Sequence, residues 1–274
     1  MRMTLLGLLL LAPTVALADD NCSHSAPRSL ALDLAGVKTL RVETNQHDVR
    51  LRAAPGASHT LKGRACASRP EWLQELTLTQ ERRGDTLVVR ARREGSQSLS
   101  GLFGNSYAHL ELAGTVPDSV LVQLVVGSGD GELEGAAAAS ADVGSGDAKL
   151  RGIRGPLAAK VGSGDIEIDG AGSLNVLSIG SGDVTARNIG GKVEVGSIGS
   201  GDFELEGARG DVRIGSIGSG DASLYGVTGA VRIESIGSGD VNIRDAGSLS
   251  VGSIGSGGVD HRGVTGSIDL PRGR

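Results

Sequence analysis

Seven aspartates recur at nearly equal intervals along this chain. Asp130, Asp147, Asp165, Asp183, Asp202, Asp221 and Asp240 each close a Gly-Ser-Gly-Asp tetrapeptide, and an altered copy, Gly-Ser-Gly-Gly, occupies 255–258. If the repeats stack as strands, like charges stand about 4.8 Å apart and repel by roughly 0.9 kcal/mol even in water. Something must offset that repulsion. Backbone N–H groups at the glycine corners would do so, as carboxylates commonly accept such bonds in turns, and Arg187 and Arg244 could screen the row. A hard cation would also do so, and calcium is the one that an oxygen-rich ladder attracts. The familiar calcium solenoid repeat, G-G-x-G-x-D-x-U-x, places a residue between its last glycine and the aspartate. Here Asp follows the second Gly of the motif directly. The turn reading comes first, and the seven aspartates are kept as a candidate cation row.

The serine of each copy (Ser128, Ser145, Ser163, Ser181, Ser200, Ser219, Ser238, Ser256) forms a second column. A flat hydroxyl ladder is one way to bind ice, although serine lacks the methyl group such surfaces present. The alternative is an inward, hydrogen-bonded ladder.

Catalysis needs different groups converging on one pocket, whereas a repeat places the same group at every level. The histidines His24, His47, His59, His109 and His261 are scattered, with no pair at metal-ligand spacing. No catalytic residue, no cofactor-binding residue and no cofactor other than calcium on the aspartate row is expected. The enzyme alternative is a polysaccharide lyase or hydrolase. It would need a walled cleft, and coils of 17 to 19 residues leave nothing to build walls.

A short fixed period marks a solenoid, in which each coil buries its apolar side only against its neighbours. After Asp202, Phe203-Glu204-Leu205-Glu206 alternates apolar and polar residues, the period of a half-buried strand. The strand ends at Gly135, Gly152, Gly170, Asn188, Gly207, Gly226, Asp245 and Gly263, all residue types that tolerate a left-handed backbone. A second strand follows, as in Lys192-Val193-Glu194-Val195. Val195 and Ile198 can both face inward only if the chain bends near Gly196-Ser197. The expected fold is all-β, a single-stranded parallel β-solenoid with three short faces per coil. The last coil reads as an end cap, with Gly258 in place of Asp, His261 in an apolar column and Pro271 near the end.

Residues 19–116 repeat the theme more loosely. Asn45-Gln46-His47-Asp48 falls where Gly-Ser-Gly-Asp would, and 76–89 reads as a hairpin turning at Arg83-Gly84-Asp85. The expected division is a signal peptide at 1–18, diverged coils and a hairpin forming an N-terminal cap at 19–116, and the regular solenoid at 117–274.

Composition agrees. Aromatic residues are 2 % of the chain and glycines number 45, which suits a thin aliphatic core. Arg2, the apolar Leu5 to Leu11 and Ala16-Leu17-Ala18 have the layout of a cleaved secretory signal. No later stretch approaches a membrane span. A net charge of −5 offers no footprint for nucleic acid. Export favours a disulfide between Cys22 and Cys66. A lipoprotein anchor at Cys22 is the poorer reading, because Asp19-Asp20-Asn21 precedes it.

A signal peptide, a diverged β-rich front, Val116-Pro117 leading into Val120–Asp130, and coils repeating Gly-Ser-Gly-Asp resemble the bacterial β-strand-repeat family grouped as "putative adhesins" of unknown function, head GIN domain type. The resemblance covers most of 30–270. It implies a β-solenoid at the cell envelope without enzyme activity, and it transfers no functional residues. The expected role is a non-enzymatic, exported interaction or envelope-structural protein, periplasmic or secreted. It would be monomeric unless a rod end pairs, and would meet a protein or glycan partner. The candidate contact loop is 94–107, where Leu99, Leu102, Phe103 and Tyr107 put apolar groups in a Gly/Ser setting. The same residues could instead fold back over the edge of the rod.

Overall fold

The computed structural model describes residues 22–56, 59–95 and 106–271; the signal segment 1–18 and the loop residues Leu99, Leu102 and Phe103 lie outside them. The chain is a β-solenoid of about eight turns, and its coil follows from the local sequence. In Phe203–Ala208, Phe203 and Leu205 are buried while Glu204 and Glu206 point outward. The chain then turns at Gly207, with φ 79°. The whole corner column is left-handed, including Asn188 and Asp245, both at φ 59°. Non-glycine residues rarely adopt this conformation, and Asn and Asp are the ones that do so most readily.

In the second strand, Val212–Ile217, residues Val212, Ile214 and Ile217 are all buried. The parity conflict between Val195 and Ile198 is resolved at the expected bend. Val195 pairs with Ile214 and Ser197 with Ser216, while Gly196 and Gly215 drop out of the ladder.

Successive coils stack in parallel and in register, for example Val184 on Phe203 on Ala222 on Val241. Two ladders therefore run along the rod and share one aliphatic core. Each fully buried Ile, Leu or Val in it contributes roughly 1.5–3 kcal/mol.

The glycines of the tetrapeptide serve another purpose. A Cβ on Gly164 would lie 1.7 Å from the carbonyl oxygen of Gly146, and one on Gly201 would lie 1.8 Å from that of Gly182. No other residue lets the backbones approach so closely. The same proximity lets Ser200 N–H donate to Gly180 O at 2.8 Å.

At the N-terminal end the stacking order leaves the chain order. Thr39–Asn45 lies between Thr86–Arg93 and Leu121–Val126. Asp48–Ala53 likewise lies between Ala108–Val116 and Asp130–Glu134. As the sequence suggested, 45–48 sits beneath the first tetrapeptide, and Ser128 N–H donates to Asn45 O at 2.6 Å. Antiparallel strands then end the stack. Leu76–Arg83 forms the expected hairpin with Thr86–Arg93 through Gly84 at φ 65°. Thr60–Ala67 pairs antiparallel with Ala108–Val116, and His24–Ala31 lies outside it. Cys22 and Cys66 are joined, with Cα atoms 5.5 Å apart.

Candidate functional site

The aspartate row is held by the backbone of the adjoining coil. Oδ1 of Asp165 accepts the N–H of Asp183 at 3.0 Å, and that of Asp183 accepts the N–H of Asp202 at 2.8 Å. Asp202, Asp221 and Asp240 repeat the bond to Asp221, Asp240 and Gly258 at 2.7–2.8 Å. Asp147 bonds to Asp165 N–H at 3.2 Å, and Asp48 extends the row downward by bonding to Asp130 N–H at 3.0 Å. A carboxylate thus satisfies a corner N–H in the next coil, and Gly258 supplies the last such N–H in the described row. Burial, then the charges of Asp48 and Asp147, hold the Asp130 carboxyl above its ordinary range. Among the described residues, no three His, Cys, Asp or Glu side chains are grouped to hold a metal ion.

The serines of the tetrapeptides face solvent, so the inward ladder is not formed. His261 stacks on Ile243 in the last coil. His47 stands in the column of the buried tetrapeptide glycines and is itself fully buried. Its Nδ1 accepts the N–H of Leu110 at 3.2 Å, and its Nε2 has no partner among the described residues. Burial, then the nearby His109, push its pKa down to about 4. Tyr107, the described member of the contact loop, accepts the Ser23 N–H at 2.7 Å through its hydroxyl, beside the disulfide.

The outward positions of the first ladder carry a pattern that the repeat did not advertise. Reading along the rod, Arg52, Glu134, Arg151, Asp169, Arg187 and Glu206 are successive register neighbours, so the charge alternates from coil to coil. Arg187 Nε meets Glu206 at 2.8 Å, and Arg244 lies 5.7 Å from the ring centre of Tyr225. Such exposed pairs are each worth little.

Near the N-terminal end the alternation gives way to a basic surplus. An open depression of about 460 Å³ is floored by Ala113, Gly114 and Thr115 and rimmed by Arg50, Arg52, Lys62, Lys149 and Arg151, with Glu132 and Glu134 between them. It is concave because the Ala113-Gly114-Thr115 end of that strand, Ala108–Val116, presents short side chains between strands that present long ones. Arg50 and Arg52 approach Glu132 and Glu134 only to 3.6 and 3.9 Å. Lys62 and Arg151 make no ion pair among the described residues. Sequence reasoning missed this site. The only signals were Arg50-Leu51-Arg52 and Lys149-Leu150-Arg151, basic residues alternating with core leucines.

Comparison with known proteins agrees with this architecture. The family model described as Toastrack DUF4097 matches residues 37–269. Among solved structures, a putative adhesin from Parabacteroides merdae is similar at 13 % identity and TM-score 0.55, covering 88 % of this chain and 97 % of its own. A putative lipid binding protein from Parabacteroides distasonis is similar at 18 % identity and TM-score 0.54, with the same coverage of 88 % and 97 %. A putative adhesin from Bacteroides fragilis has 14 % identity and TM-score 0.50, covering 88 % and 98 %. At these identities the likeness is one of fold. Comparison with curated proteins finds no match.

Proposed function

This chain belongs to the Toastrack DUF4097 family, and on that premise we propose that it is an exported, non-enzymatic β-solenoid acting as a rigid interaction or structural element of the cell envelope. The observation that carries this reading is the use made of its most repeated chemical group. The Oδ1 atoms of Asp48, Asp147, Asp165, Asp183, Asp202, Asp221 and Asp240 are engaged in holding neighbouring coils together, so the row works as a fastening. A catalytic carboxylate needs a recess that brings it against a different group, and all of these except the half-buried Asp48 face solvent along a regular edge. The disulfide supports an oxidising compartment. In this reading 1–18 is removed on export, 19–116 closes one end of the rod, and 117–274 supplies its length. The partner is a glycan or protein outside the cytoplasm.

Fractionation of the producing cell tests the location: the chain should be found beyond the cytoplasm, starting at Asp19. Incubation with uronate polymers tests the absence of catalysis. Unsaturated products or new reducing ends would overturn the reading.

A further inference from the structure

We propose that the basic depression binds a carboxylate-bearing oligosaccharide. This deepens the non-enzymatic reading, on which it rests only in that the glycan is held and released unchanged. The cations stand in rows that follow the strands: Lys62 on Thr60–Ala67, Arg50 and Arg52 on Asp48–Ala53, and Lys149 and Arg151 on Asp147–Val161. One strand lies between each pair of rows, so the rows are two strand spacings apart, about 10 Å. A single phosphate would want its donors converging on one point. Here they are spread along a line, with the carboxylates of Glu132 and Glu134 between two of the rows. Those carboxylates repel a compact dianion but accept hydrogen bonds from sugar hydroxyls. An extended glycan with acidic groups at intervals and hydroxyls between them matches that order of charge, neutral floor, charge, acceptor, charge. The depression is a local basic surplus, five cations against two carboxylates, on a chain of net charge −5.

Calorimetric titration of the full exported chain with tetragalacturonate, and with cellotetraose as its neutral counterpart, tests this. The acidic oligomer should bind, and cellotetraose should not. Replacing three rim cations together, Arg52→Ser, Lys62→Ser and Arg151→Ser, should weaken binding roughly tenfold or more, as expected from losing charge-assisted contacts. Arg187→Ser, two register steps beyond Arg151 on the same ladder, should leave it unchanged. Thermal melting verifies that the triple variant is folded; if it is not, Lys62→Ser alone serves, since this side chain holds no ion pair among the described residues. Equal binding of cellotetraose, or equal binding by the folded variant, overturns the proposal. Binding of phosphatidylglycerol vesicles without the oligomer also overturns it and assigns the depression to a lipid surface. Oligomer recovered shortened would uphold the site while defeating the non-enzymatic reading; absence of binding would defeat the site and leave that reading standing.

Discussion

Oδ1 of Asp221 accepts the backbone N–H of Asp240, one coil further along the rod, at 2.7 Å. The bond joins two members of the same repeat position, so the carboxylates that repel one another are also the links that hold their coils in register.

Removing one link should separate the hydrogen bond from the charge. Asp221→Ala strands the Asp240 N–H at an exposed corner and should cost about 1 kcal/mol. Asp221→Asn keeps an acceptor oxygen and relieves two like-charge contacts, so it should be neutral or slightly stabilising. Urea denaturation compares the two. Equal losses for Ala and Asn would mean that the N–H bond contributes nothing.

Two glycines six residues apart should respond very differently to alanine. At Gly201 the new Cβ would lie 1.8 Å from the carbonyl oxygen of Gly182, a backbone contact that can be relieved only by unstacking coils. We expect loss of the folded state. At Gly207 no described residue lies within 4 Å of the added carbon and only the φ of 79° resists it, at a cost of about 1–2 kcal/mol. Circular dichroism melts distinguish these outcomes, and comparable melting temperatures would contradict them.

Acid stability should carry the signature of His47. Its folded pKa of about 4 lies below the ordinary 6.5, so folding favours the neutral ring. The contribution is complete above pH 6.5, falls as pH drops below that value, and is gone below pH 4. The loss would be about 3 kcal/mol by linkage. His47→Gln removes the titrating group and should flatten that part of the stability-against-pH curve. An unchanged slope between pH 6.5 and 4 would show that the ring is not neutral and buried.

The disulfide closes a separation of 44 residues, for which chain entropy gives about 4 kcal/mol. Cys22→Ser with Cys66→Ser should therefore destabilise the end formed by His24–Ala31 and Thr60–Ala67. The regular coils would persist, because each depends mainly on its neighbours. Hydrogen exchange should show protection lost at 24–31 and kept at 166–254. Uniform loss along the chain would mean that the rod unfolds as one unit.

Much of this architecture was written in the residue order. A repeat states the same local demand at every coil, so one reading of the left-handed column at Gly207 held for Asn188 and Asp245, and one parity conflict located the bend at Gly196. The match of Asn45–Asp48 to the tetrapeptide was legible for the same reason, and the hairpin at Gly84 because two alternating segments flank a local turn signal. Tertiary structure alone decided the rest. It put 39–53 between 86–93 and 108–116 on one side and 121–134 on the other, buried His47 against Gly129, turned the serines outward and gave the carboxylate row a backbone partner one coil away. It also gathered Lys62, Arg50 and Arg151 around one depression. Inward positions must fit a shared core and so repeat; outward positions answer only to solvent and to neighbours chosen by strand pairing, which links residues far apart in the chain.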